Sequence, residues 1–144
     1  MRIVELTSLS EAQVLDILAL MRELDPEIAV TSAMLQRAVE AAGTHFFAAL
    51  EDDGHVMGCA SLCVFNSPTG RKASVEDVVV SSSCRGRGIG RQLVEAIIDY
   101  ARLELAPVEI HLTSRPHRVA ANELYRSLGF QQKETNVYRL CISG

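Results

Sequence analysis

Between positions 78 and 97 the chain reads VVVSSSCRGRGIGRQLVEAI. A β-branched run, which favours an extended strand, gives way to serines and then to three arginines and three glycines within residues 85–91. From Gly88 onward apolar residues return at helical spacing. Ile89, Leu93, Ala96, Ile97, Tyr100 and Ala101 share one stripe, and Arg91, Gln92, Glu95, Asp99 and Arg102 lie on the polar side. A strand that passes through a glycine-rich turn directly into an amphipathic helix commits the chain to an α/β architecture. It also sets the unpaired amides and positive dipole end of a helix start inside a basic loop, which suits an anion and phosphate best. Glycine admits positive φ and a close backbone approach, while Arg85, Arg87 and Arg91 supply charge that can pair with phosphate oxygens.

Two familiar phosphate loops are excluded. The chain has no G-x-x-x-x-G-K-S/T run, and its glycines at 86, 88 and 90 are spaced G-x-G-x-G rather than G-x-G-x-x-G. No repeated βαβ unit precedes them, so a dinucleotide-binding fold does not fit.

Around this unit the remaining elements read in order. Residues 2–7 form a first strand. Ser10 opens a helix with Gln13 at capping-box spacing, its apolar side carried by Val14, Ile17, Leu18, Met21 and Leu24, and Asp25-Pro26 stops it. Thr31 or Ser32 caps a second helix. Asp53-Gly54 marks a tight turn between two apolar stretches, NSPTGRK reads as a loop, and ASVEDVVVS is a central strand covered on both faces. VEIHLTS is a further strand, RVAANELYRSLG a short helix ending at Gly129, and ETNVYRLCI a last strand.

Composition narrows the function classes. At 144 residues the chain is one domain in length, and with 48% hydrophobic and 22% charged residues it can bury a core. A net charge of −4 argues against a broad nucleic-acid surface. No apolar run approaches the ~20 residues of a membrane span. Cys59, Cys63, Cys84 and Cys141 form no C-x-x-C pair and no metal-finger spacing with histidine, so the expectation is no metal and free buried thiols in a reducing cytoplasm.

The run Arg85-Gly86-Arg87-Gly88-Ile89-Gly90 matches in full the Q/R-x-x-G-x-G/A signature of the GNAT family of N-acetyltransferases. VEDVVV resembles that family's fourth strand. TSRPHRVAANELYRSLGF resembles its fifth strand and following helix, including the A-x-x-L-Y-x-x-L-G-F pattern. The resemblance covers essentially the whole chain. It implies a single domain over residues 1–144, with a mixed, mostly antiparallel central sheet of six to seven strands flanked by about four helices.

The resemblance also implies roles. Acetyl-CoA is the co-substrate and an amine, on a small molecule or a protein, is the acceptor. Backbone groups of Val78 and Val80 pair with the pantetheine arm as an added strand would, and the backbone across Arg85, Gly86, Arg87, Gly88, Gly90 and Arg91 holds the pyrophosphate. Asn122 contacts the cofactor and Tyr125 sits by its sulfur. Helical spacing independently puts Arg118, Asn122 and Tyr125 on one face. The family reaction is direct attack of the amine on the acetyl thioester. A base for the amine is sought in Glu76 and Asp77. Glu76 is preferred on the expectation that strand alternation gives it the same side as Val78 and Val80. An amide near Val78 is the oxyanion donor, and Tyr125 protonates the departing thiolate. A non-catalytic acyl-CoA-binding or regulatory module on the same fold is the alternative, as is another acyl group such as succinyl or propionyl. Acceptor contacts are expected from residues 22–32, where Glu23, Asp25 and Glu27 could attract a cationic amine, and from NSPTGRK and QQKETNVY. Whether the chain pairs as a homodimer is left open.

Overall fold

The computed structural model describes residues 1–144, which divide into two compact units, Met1–Thr113 and Ser114–Gly144. The first unit holds β1 (Arg2–Leu6), α1 (Glu11–Leu24), α2 (Ser32–Glu40), β2 (Thr44–Leu50), β3 (Val56–Ser67), β4 (Gly70–Val80), α3 (Ile89–Tyr100) and β5 (Glu109–His111). The strands form one sheet in the order β1-β2-β3-β4-β5. Neighbours from β1 to β4 are antiparallel, and β5 joins β4 in parallel. The second unit contains α4 (Val119–Ser127) and the chain that follows it.

The helix boundaries follow the side chains. At the start of α1, Ser10 Oγ accepts the Gln13 amide at 3.2 Å and Gln13 Oε1 accepts the Ser10 amide at 2.9 Å, completing the capping box. Thr31 rather than Ser32 caps α2, its Oγ1 accepting the Met34 amide at 3.2 Å. Gly54, at φ 92°, turns the chain between β2 and β3.

Alternation along β2 divides the core. Phe46, Ala48 and Leu50 pack with Val14, Ile17, Leu20 and Met21 of α1 and with Leu35 and Val39 of α2. Phe47 and Ala49 face the other way, onto Ile89, Leu93 and Ile97 of α3. The fully buried Ile17 on one side and Leu93 and Ile97 on the other fix one sheet between two helical layers.

Two expectations change. The sheet has five strands, not six to seven. The missing one is ETNVYRLCI: residues 130–144 carry no regular secondary structure, and Val137, Tyr138, Leu140 and Ile142 are exposed. Such side chains favour an extended backbone, but only a hydrogen-bonded neighbour makes a strand. NSPTGRK, conversely, is no loop. β3 runs to Ser67 and β4 begins at Gly70, so only Pro68 and Thr69 lie between the strands.

β4 carries an irregularity that decides which way its side chains point. Glu76 pairs with Ser61 and Val79 with Cys59, so Ala60 alone lies opposite both Asp77 and Val78. Asp77 takes φ 53° at this bulge, the one non-glycine residue with positive φ. Ala73 and Val75 pack on the α3 side before the bulge, and Val78 and Val80 pack there after it. Val79 belongs to the α1 and α2 side.

Candidate active site

β5 meets β4 only at Lys72, Ala73 and Ser74. Over residues 75–80 the edge of β4 away from β3 therefore has no strand partner. An extended ligand can add itself to such an edge through backbone hydrogen bonds. Val78 and Val80 lie within this open stretch.

At the end of the open edge the chain turns. The Ser81 amide donates to Met57 O at 2.8 Å, a short 3-10 turn spans Ser82–Cys84, and Gly86 and Gly88 take φ of 83° and 73°. Gly88 is the N-cap of α3 and has no side chain to offer, so no side chain caps the first amides of this helix. A Cβ placed on Gly86 or Gly88 would meet nothing within 4 Å, and one on Gly90 would come no closer than 3.8 Å to Val80 Cγ2. The outer face of the turn is open, and it presents helix-start amides with their positive dipole end.

The arginines divide by partner. Arg87 turns back onto Glu51, with Nη1 to Oε2 at 3.2 Å and Nη2 to Oε1 at 3.4 Å, and its Nη1 also lies 3.4 Å from Met57 Sδ. Arg91 pairs with Glu95 at 3.2 Å, one helical turn on. Arg85 is exposed and joins no ion pair, though its charge is felt by Glu23. Behind the turn lies a hollow of about 390 Å³ whose lining includes Asp16, Glu23, Glu51, His55, Met57 and Cys84.

The carboxylates of β4 are arranged differently from expectation. Because the bulge reverses the alternation, Glu76 does not share a side with Val78 and Val80. It lies on the face covered by α1 and α2, where its Oε1 accepts the Ser74 hydroxyl at 2.6 Å. Asp77 follows it at the bulge. Desolvation first, and then the neighbouring Glu76, push its carboxyl above the usual range. Cys63, across from Ser74, is pushed up by burial and by the same two carboxylates, while Thr44 opposes the rise. Burial carries the Cys59 thiol up to about 12. All four cysteines are free; Cys59 is buried, Cys63 and Cys84 are half-buried, and Cys141 is exposed rather than buried.

The acidic residues at the end of α1 are engaged. Glu23 Oε1 accepts the Ser82 amide at 3.0 Å, and Asp25 accepts the Glu27 amide at 3.0 Å. These bonds leave Glu27 as the expected amine attractor without an assigned partner for its carboxylate.

In the second unit, Asn122 Nδ2 donates to Arg115 O at 3.1 Å, bracing the chain that leads into α4. Tyr125 meets Phe130 edge to face at a centroid distance of 5.9 Å. Burial raises its phenol, and the charge of Arg118, the N-cap residue of α4, opposes that rise. Val78, Val80 and the residues of the turn thus form a continuous surface of the first unit, while Asn122 and Tyr125 belong to the second. Sequence reasoning missed Glu23 and Glu51 as partners of the turn. Neither stands near it in the chain, and an acidic residue at the end of a helix or strand has no distinguishing pattern.

An open strand edge leads into an uncapped, glycine-lined helix start, an arrangement whose free backbone groups suit an extended, phosphate-bearing ligand. Residues 12–130 match the model of the acetyltransferase (GNAT) family, and the chain belongs to that family. It is 30% identical over 100 residues to the N-alpha-acetyltransferase RimI of Mycobacterium tuberculosis, across 69% of this chain and 60% of that protein. It is 34% identical over 84 residues to N-acetyltransferase family 8 member 2 of Rattus norvegicus, across 57% of this chain and 37% of that one. The match thus spans less than two thirds of each of these relatives. The fold is also that of glucosamine-6-phosphate N-acetyltransferase from Arabidopsis thaliana, with a TM-score of 0.75 at 19% identity over 96% of this chain and 97% of the other. AAC(6')-Iy, solved with a bisubstrate analogue containing CoA, superposes with a TM-score of 0.76 at 18% identity over 99% and 98% of the two chains.

Proposed function

We propose that the protein is an acetyl-CoA-dependent N-acetyltransferase that acts on a primary amine by direct transfer. The observation that carries this reading is the continuity of the open β4 edge at residues 75–80 with the uncapped N-terminus of α3. The residues fit CoA: backbone along Val78 and Val80 for the pantetheine arm, amides from Gly86 to Arg91 for the pyrophosphate, and the exposed Arg85 for its charge. Bound acetyl-CoA supplies an activated thioester whose acetyl carbon an amine can attack, with CoA leaving as the thiol. Glu76, on the α1 and α2 face, takes the proton that the attacking amine must lose. Asp77 is the competing base, because desolvation and the neighbouring Glu76 raise its carboxyl above the usual aspartate range and so strengthen its hold on a proton. Tyr125 keeps its proton through neutral pH and is the donor to the departing sulfur. Asn122 orients the cofactor from α4. The family match takes in most of the first unit and α4 of the second, which supports reading the two as one acetyltransferase domain.

The test is release of free thiol from acetyl-CoA in the presence of a panel of amino acids, polyamines, amino sugars and peptide N-termini. Acceptor-dependent release is expected. Tight CoA binding with no release under any acceptor would instead mark a non-catalytic acyl-CoA-binding module. Succinyl-CoA and propionyl-CoA in the same assay define the acyl group.

A further inference from the structure

We infer that Glu23, on α1, is a positioning residue for the CoA-binding turn. It acts through its hydrogen bond to the Ser82 amide rather than by touching either substrate. The inference rests on the acetyl-CoA reading above. Glu23 stands in the last turn of α1, where a negative charge faces the negative end of the helix dipole and weakens the helix. Its compensation lies outside the helix. Its Oε1 accepts the Ser82 amide at 3.0 Å, 59 residues further along the chain. The Ser82 hydroxyl, then the Ser82 amide, and more weakly Arg85, hold its carboxyl below the usual range despite some desolvation. Ser82 opens the 3-10 turn that leads the chain off β4, and its neighbour Ser81 is fixed by Met57 O. Ser81 and Ser82 are therefore anchored to β3 and to α1 respectively, immediately before the glycines begin. Gly86 and Gly88, at positive φ, give the following residues little stiffness of their own. Without the anchor the turn must be ordered when the ligand arrives, and that ordering weakens binding.

The experiment compares wild type with Glu23→Ala and Glu23→Gln. Glutamine keeps a carbonyl acceptor for Ser82 but not the charge. Expected for Glu23→Ala is a rise of about tenfold in the Kd for CoA and in the KM for acetyl-CoA, with kcat at saturation nearly unchanged. Glu23→Gln is expected to remain within about twofold of wild type. Equal affinity in wild type and Glu23→Ala overturns the inference, and so does equal loss in both variants, which would assign the effect to charge alone. Hydrogen exchange of the Ser82 amide in the unaltered protein provides a check that needs no variant to fold. Protection is expected, and exchange at the rate of an unstructured amide overturns the inference. A wild-type protein with a protected Ser82 amide but no measurable CoA binding would sink the acetyl-CoA reading while leaving the contact of Glu23 in place.

Discussion

Glu51 closes on Arg87 with both carboxylate oxygens, at 3.2 Å and 3.4 Å, so this guanidinium points back toward the end of β2. A bidentate pair fixes the planar group in one orientation. Arg85, which has no such partner, is then the side chain of the turn best placed to meet phosphate. Replacing Arg85 by Gln is expected to weaken CoA binding by about 10- to 100-fold, the range for a lost hydrogen bond to a charged group. Arg87→Gln is expected to cost less, and the double variant with Glu51→Gln no more than either single change, because one interaction is removed in each case. Isothermal titration of wild type, the three single variants and the double variant measures this. Equal losses at the two arginines would mean that Arg87 leaves Glu51 to bind the ligand.

Gly90 separates stability from binding. It lies inside α3 and not at positive φ, and a Cβ there would only touch Val80 Cγ2 at 3.8 Å. Alanine should therefore hold or raise the melting temperature, since alanine is the better helix former. If the position serves close approach of the backbone to pyrophosphate, Gly90→Ala will nonetheless weaken CoA binding. Gly88→Ala should do both kinds of damage, because φ 73° is strained for any L side chain, by about 1–2 kcal/mol. Thermal melts beside titrations distinguish the two variants.

How far the sequence revealed this arrangement depends on how local each determinant is. The capping box of Ser10 with Gln13, the Gly54 turn and the stripe of Ile89, Leu93 and Ile97 are each settled within a few residues, and each is found where the spacing placed it. The bulge at Asp77 is not of that kind. VEDVVV contains no glycine or proline, and the extra residue exists only relative to its partner strand, where Ala60 stands opposite two residues. Strict alternation through it put Glu76 on the wrong side. ETNVYRLCI failed for the same reason in reverse: its side chains suit a strand, but pairing is a property of two segments. The turn at residues 85–91 was legible as an anion site because glycines and arginines are themselves the determinant. Its anchors Glu23 and Glu51 were not, since they reach it across 59 and 36 residues.

Asp77 predicts a pH dependence of stability. Its carboxyl is raised in the folded protein, by desolvation and by Glu76, so the native state binds more protons than the unfolded chain between the ordinary and the raised pKa. Stability therefore falls as pH rises through that window, and the penalty is fully present above it. Asn at this position removes the charge, and among non-glycine residues it tolerates positive φ well. Asp77→Asn should be more stable than wild type at neutral pH, with the gain vanishing as pH falls below the ordinary aspartate range. Denaturant melts from about pH 2.5 to about pH 8 measure it. A gain that is constant with pH would assign the effect to backbone preference alone.

Tyr125 has a hydroxyl with no hydrogen-bond partner and a phenol raised by burial against the opposing pull of Arg118. It stays protonated through neutral pH and can lose its proton only beyond the ordinary tyrosine range. In the proposed role of donor to the leaving thiolate, it would act in the transition state and do little for the bound ground state. Tyr125→Phe should therefore lower kcat by about a hundredfold or more while leaving the Kd for CoA nearly unchanged. Because phenylalanine keeps the ring that meets Phe130, the fold should be retained, and an unshifted melting curve checks that. Thiolate left unprotonated depends on solvent for its proton, so the remaining activity should fall as pH rises where wild type stays level. Unchanged kcat in the variant at every pH would remove Tyr125 from the reaction and turn attention to a water-borne proton.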